Sequence, residues 1–313
     1  MSDLKSSKHT ISDPGFGEKS SGSTKRLINK DGSFNVMRRH TGVINSNVYQ
    51  FLLQIPFALF FLLGLGGFIV LSGLFGLVYY MIGPSSLSGV ADHQPLHSFL
   101  DCFYFSTQTF TTVGYGAIAP QNALASSIAA FEAFCGLLFF AITTGLLYSR
   151  FSKPKAKFIY SKQAIITPFE TGQALMFRFA NMRKNTLMEM SARVILVMRP
   201  ETKDQTIRSY FNLDLHLDKV VFLPLSWTLV HPITQESPLY GLTQQELIQR
   251  GAEILILISG FDDTFNQTIH SRFSYTADEI VWNAKFVRAF QSDEQGNVIM
   301  DMDDIHLHVP IQS

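Results

Sequence analysis

Between Phe51 and Ser149 the chain carries no lysine or arginine, and its only acids there are Asp92, Asp101 and Glu132. No other feature narrows the fold as much. Backbone placed in lipid must satisfy its own N–H and C=O groups, which leaves helices or a closed barrel. Two stretches of this block are long and apolar enough to be spanning helices, a crossing that takes about 20 residues. The first runs from about Ile55 to Ile82 and is free of charge. Its Gly64, Gly66, Gly67, Gly73 and Gly76 suit close helix contacts in lipid. The second runs from about Leu124 to Tyr148 and holds Glu132 among Phe131, Phe134, Phe139 and Phe140. Between them, His97 to Phe110 forms an aromatic segment too short to cross, placed to re-enter from one face. Over all 313 residues 46% are hydrophobic and 16% charged, but the average hides a division, because nearly all the charge lies outside this block. The pattern is a membrane module joined to a soluble one.

Directly after the re-entrant segment stands Thr112-Val113-Gly114-Tyr115-Gly116. A filter for dehydrated potassium needs consecutive backbone carbonyls turned toward one axis, replacing the water shell of the ion. That requires backbone of alternating handedness, and Gly114 and Gly116 supply places where no Cβ interferes. Thr112 adds a hydroxyl oxygen below the carbonyls, and Val113 and Tyr115 point outward to wedge the loop open. Thr112, Val113, Gly114 and Tyr115 are therefore the expected potassium ligands, with no other cofactor expected. One loop supplies a quarter of the oxygens, so the chemistry asks for a four-fold ring.

Basic residues set the orientation. Lys5, Lys8, Lys19, Lys25, Arg26, Lys30, Arg38 and Arg39 precede the first span, and Arg150, Lys153, Lys155, Lys157 and Lys162 follow the second. The positive-inside rule then places both termini in the cytoplasm and the filter at the outer face. No apolar stretch precedes residue 51, so no cleavable signal is expected. The first 30 residues, with Pro14-Gly15-Phe16-Gly17 and Ser20-Ser21-Gly22-Ser23, have the composition of disorder. Asn45 to Gln54 suits either a short interfacial helix or the first turns of the span. Cys102 and Cys135 lack metal or redox spacing and read as buried thiols.

Beyond about Lys157 the pattern changes to short runs of strand type, among them 174–179, 192–197, 254–258 and 280–282, separated by Pro200, Gly241, Gly251 and Gly260. Several short strands without long helical patterns imply an antiparallel sandwich. One helix is expected at 243–250, with Thr243 as N-cap and Glu246 three residues on. The domain plan is an N-terminal arm over 1–44, disordered at its start, a membrane module over 45–152, and a β-sandwich over 153–313.

These stretches together resemble the prokaryotic inward-rectifier potassium channels from about residue 30 to 290. The resemblance rests on Phe105-Ser106-Thr107-Gln108-Thr109, Glu132-Ala133-Phe134-Cys135-Gly136, residues 225–233 with 237–241, and Asp278-Glu279-Ile280-Val281-Trp282. It implies a homotetramer with an immunoglobulin-like cytoplasmic domain that extends the conduction path. Glu132 falls where the family places a glutamate behind the filter. With no basic residue in the block to pair with it, the expected state is a hydrogen-bonded, partly protonated filter support. Gln108 and Ala117 stand where relatives carry a second acid or a charged residue, and Gln108 is expected to support the filter beside Glu132. Gly136 matches a hinge position, or serves helix packing. Phe140 matches the pore-lining position that is acidic in strong rectifiers, so block by internal magnesium or polyamine is expected to be weak. Tyr148 matches the bulky residue at the helix-bundle crossing, the expected gate; a lipid-facing tyrosine is the alternative. Arg150, Lys153, Lys155 and Lys157, joined by Arg38 and Arg39, form the expected contact for anionic, phosphoinositide-type headgroups. The region 265–271 resembles a loop that narrows the cytoplasmic pore. His306 and His308 share one face if the tail is a strand.

An enzyme is not expected: there is no His-Glu-x-x-His, nucleophile elbow or paired cysteine motif. No nucleotide-binding glycine fingerprint, nucleic-acid partner or arginine-rich voltage sensor is indicated. A membrane-anchored binding protein with a silent pore remains the alternative and accounts for the second half alone.

Overall fold

The computed structural model describes residues 9–17, 26–37, 48–90, 95–152, 156–200 and 207–311. Its contacts group into two compact units, one drawn from residues 40–153 and one from residues 1–39 together with 154–313.

In chain order, the strand β1 (Thr10–Ile11) precedes the helices α1 (Val48–Gln54), α2 (Phe57–Ile82), α3 (Pro95–Phe110) and α4 (Ala123–Phe151). Two short strands, β2 (Leu87–Ser88) and β3 (Ala119–Pro120), flank α3 and the filter loop. At 26 and 29 residues, α2 and α4 are each long enough for a bilayer core of about 30 Å. The 16-residue α3 reaches only about 24 Å, short of that core. Pro56 caps α2 at φ −53° and ψ 149°. Because the residue before a proline avoids helical backbone, the chain breaks at Ile55 and α1 is a separate helix. Pairing of Leu87 with Pro120 and Ser88 with Ala119 ties the two ends of the re-entrant segment together. Gly89, at φ 79°, permits that closure, since a Cβ there would lie 2.1 Å from the Ala117 carbonyl oxygen.

The second unit continues with β4 (Phe158–Tyr160), β5 (Ala164–Phe169), β6 (Gly172–Asn181), β7 (Leu187–Met198), β8 (Ser209–Asn212), β9 (Lys219–Phe222) and β10 (Ser226–Ile233). The helix α5 (Gln244–Gln249) is followed by β11 (Glu253–Asp262), β12 (Gln267–Thr276), β13 (Ile280–Trp282), β14 (Ala284–Phe286), β15 (Phe290–Ser292), β16 (Val298–Met300) and β17 (His308–Pro310). One sheet has the order β1-β8-β7-β11-β12 with β9 on β7; the other runs β10-β6-β5-β13 with β4 on β6. Alternate residues of both sheets meet in one core, including Phe177 and Phe179 from one and Leu196, Ile254, Ile256 and Tyr275 from the other. This is a β-sandwich. The Thr243–Glu246 capping box starts α5, as its sequence implies.

Three expectations change here. Disorder over the first 30 residues does not hold for residues 9–17 and 26–30. Thr10 and Ile11 pair with Phe211 and Tyr210 at the edge of the first sheet, and the Tyr210 hydroxyl donates to the Gly17 carbonyl at 2.9 Å. Ile28 is buried with Val197, Tyr210 and Leu255, so the arm covers an apolar face that would otherwise meet water. Second, most of 265–271 is strand, since β12 begins at Gln267. Third, His306 ends a 3₁₀ turn (Asp303–His306) while His308 opens β17, so the two do not lie on one continuous strand.

Candidate functional site

The loop at the end of α3 takes the backbone form its sequence calls for, with one addition. Positive φ recurs at every second residue: Thr112 at 57°, Gly114 at 55° and Gly116 at 83°. Alternation of this kind turns successive carbonyls to the same side. The sequence points to the two glycines and gives no sign that Thr112, a β-branched residue, adopts the left-handed region as well. Within the chain, a Cβ at Gly114 would meet nothing within 4 Å, so its constraint is conformational.

The loop is anchored to the helix before it. The Gln108 carbonyl accepts the amides of Val113 at 2.9 Å and Gly114 at 3.4 Å, and the Thr109 carbonyl accepts that of Thr112 at 3.0 Å. Gln108 thus holds the loop through its backbone. The same helix end directs the negative end of its dipole at Thr111 and Thr112, which favours a cation there.

Glu132 is fully buried in α4. Its two oxygens accept separate hydroxyls: Tyr79 of α2 donates at 2.8 Å, and Ser106 of α3 donates to the other. Neither partner stands out in the sequence. A buried acid in a block without bases demands donors, but many hydroxyls lie within reach of that argument. Gly136, one turn along α4, faces the Phe110 carbonyl oxygen, where a Cβ would stand only 2.0 Å away. Close packing against α3 therefore requires this glycine.

Further along α4, Phe140 is half exposed and Tyr148 is 74% exposed within the chain. An apolar recess of about 310 Å³ is lined by Phe60, Phe61, Leu65, Phe68, Phe139 and Phe140 together with Thr111. Arg150, one of the expected headgroup contacts, makes contacts within the chain. Its guanidinium donates to the carbonyls of Leu52 and Ile55 and lies over the rings of Phe57 and Phe60, 5.1 and 4.8 Å from their centroids. Leu52 lies in the last turns of α1 and Ile55 directly follows it, and carbonyls left without an intrahelical partner at a helix C-terminus favour a cation. Lys157 is exposed. Lys153, Lys155, Arg38 and Arg39 lie outside the described residues. Cys102 and Cys135 are free thiols, the first buried and the second half-buried. Among the described residues no group of three potential ligands is placed to hold a metal ion through His, Cys, Asp or Glu side chains.

Two membrane helices, a re-entrant helix ending in a carbonyl loop, and a β-sandwich that follows them in the chain define a pore protein of the potassium-channel class. A family model for the inward rectifier potassium channel C-terminal domain matches residues 158–313, and an ion channel model matches 67–153. The chain is similar to the inward rectifier potassium channel Kirbac3.1 of Paramagnetospirillum magnetotacticum, with 34% identity over 90% of this chain and 95% of that one. It is also similar to inward rectifier potassium channel irk-1 of Caenorhabditis elegans, 25% identical over 92% of this chain and 57% of the relative. Inward rectifier potassium channel 18 of Homo sapiens is 26% identical over 68% of this chain and 53% of its own length. The chain belongs to the inward rectifier potassium channel family, a family of membrane proteins that are ion channels and not enzymes.

Proposed function

We propose that the protein is a homotetrameric potassium channel in a bacterial inner membrane, with both termini cytoplasmic. Four copies of residues 112–116 form its filter, and potassium binds at Thr112, Val113, Gly114 and Tyr115. The alternation of positive φ at 112, 114 and 116, at the end of a helix too short to cross the membrane, carries this reading. The exposure of Tyr115, 81% in the single chain, supports assembly, because an aromatic ring bare at the filter calls for a neighbour to cover it. Gln108 and Glu132 support the filter, the first through its carbonyl and the second through its hydroxyl partners.

Tyr148 forms the gate, where four rings around one axis close the path by occlusion and dewetting. Phe140 lines the cavity above it and holds internal magnesium or polyamine weakly. Lys153, Lys155 and Lys157, with Arg38 and Arg39, attract anionic phosphoinositide-type headgroups, each charge contributing about 1 kcal/mol near the surface; the guanidinium of Arg150 is instead engaged by the Leu52 and Ile55 carbonyls, so its share in that contact is the smaller. The domain plan of arm, membrane module and cytoplasmic sandwich follows the same scheme.

Rubidium uptake into liposomes holding the purified protein tests the conduction reading. Wild type should take up tracer rubidium and exclude sodium, and Gly114→Ala, forced into left-handed backbone with a Cβ, should lose flux or lose selectivity. Wild-type discrimination in that variant would remove the filter assignment.

A further inference from the structure

We propose that Tyr79, Glu132 and Ser106 form a positioning bridge for the filter, in which two hydroxyls from different helices hold one carboxyl and so fix the pore helix against both of its neighbours. The inference rests on the potassium-channel reading of the same loop and assigns Tyr79 and Ser106 roles in it.

The helix α3 touches α2 and α4 at backbone distance. A Cβ at Gly76 of α2 would lie 2.9 Å from the Phe103 Cα, and one at Gly136 of α4 would lie 2.0 Å from the Phe110 carbonyl oxygen. Ser106 stands between these two contacts, and Phe103, Ser106 and Phe110 share one face of α3 at helical spacing. Each neighbouring helix adds a polar residue a turn or less from its glycine: Tyr79 beside Gly76, and Glu132 before Gly136. Tyr79, Glu132 and Ser106 are all fully buried. The Tyr79 ring also packs edge-on against Phe105 at 5.0 Å between centroids. The bridge therefore joins all three helices at one level, between two of their closest backbone contacts.

Its link to the ion path is short. Two residues beyond Ser106, the Gln108 carbonyl anchors the amides of Val113 and Gly114. A shift of α3 moves that carbonyl and with it the lower filter. At this depth there is no lysine or arginine in the block to answer Glu132, so the two hydroxyls are its compensation. Loss of either leaves a carboxyl oxygen without its donor or lets the helix move.

The test uses the full-length protein purified and reconstituted in liposomes, with three readouts: rubidium flux, competition by sodium, and block by barium. Tyr79→Phe and Ser106→Ala each remove one oxygen and little volume. Each should weaken barium block or sodium exclusion by about fivefold or more. The double variant should do little worse than Glu132→Gln, because all act through one carboxyl. The stabilisation of the purified protein against heat by added potassium provides a measurement independent of flux, and it should shrink in Tyr79→Phe. Wild-type barium block, sodium exclusion and potassium stabilisation in both single variants would overturn the bridge. A wild-type protein that conducts no rubidium and gains no stability from potassium would instead overturn the channel reading beneath it.

Discussion

A single methyl group at position 136 separates two accounts of that glycine. If Gly136 serves bending of α4, Gly136→Ala stiffens the helix, changes gating and leaves assembly intact. The structure favours the other account, since the added Cβ would lie 2.0 Å from a carbonyl oxygen that cannot retreat without moving α3. Overpacking of this kind typically costs about 1–3 kcal/mol. Gly136→Ala should therefore lower the unfolding temperature of the purified protein and abolish rubidium flux. Gly66→Ala, whose methyl meets nothing within 4 Å in the chain, should keep both. A stable, assembled Gly136→Ala with altered gating alone would restore the hinge. Residues of this sort are legible in part. Glu132 announces itself as the one acid inside a span, but its donors do not, because which hydroxyl reaches a carboxyl depends on how three helices cross.

Elements were easier to read than their connections. Spans, re-entrant helix and capping box follow from runs of apolar residues and local spacing, which need no tertiary knowledge. The break at Pro56 follows from one residue, although the sequence left it undecided whether 45–54 continues the span. The use of Arg150 was hidden, because a base just below a spanning helix looks the same whether it meets headgroups or a neighbouring helix end. Its guanidinium joins the carbonyls of Leu52 and Ile55, at and just past the end of α1, to the end of α4, and it lies over the rings of Phe57 and Phe60. Hydrogen bonds from a charged group contribute about 1.5–3 kcal/mol, and a lysine cannot reproduce a planar fork that bonds two carbonyls while stacking on rings. Arg150→Gln and Arg150→Lys should both lower the unfolding temperature and alter rubidium flux, while binding of the purified protein to phosphoinositide-containing vesicles stays within about twofold of wild type. If Arg150→Lys matched wild type in stability and flux, charge alone would explain the position.

At the scale of the whole chain, the membrane unit is an insertion: the β unit is built from residues on both sides of it. The N-terminal side is fastened by charge. The Leu27 and Ile28 amides donate to the buried Glu253 carboxylate at 2.7 and 3.2 Å. Arg26 and Lys30 each lie 2.6 Å from one oxygen of Glu279. None of this is visible locally, since partners some 250 positions apart supply the order that a Gly-Ser-rich composition denies to the arm itself. Burial works to raise the Glu279 pKa, but the hydrogen bonds from Arg26 and Lys30 outweigh it and hold the carboxyl below its ordinary value. A carboxylate depressed on folding contributes stability that is present in full above its unfolded pKa, about 4.5, and is lost as pH falls through the lower folded value. The arm should thus stay docked from neutral pH to about pH 5 and loosen only in stronger acid. Glu279→Gln removes the charge at every pH. In that variant trypsin should cut after Arg26 and Lys30 at pH 7.5 several times faster than in wild type, with cleavage at exposed basic sites of the β unit unchanged. Hydrogen exchange at Leu27 and Ile28 in wild type should match at pH 7 and pH 5 once corrected for intrinsic rates. Equal trypsin sensitivity of variant and wild type would show that the apolar contacts of Ile28 hold the arm without help from Glu279, and wild-type loosening already at pH 6 would show that a group titrating nearer neutrality governs docking.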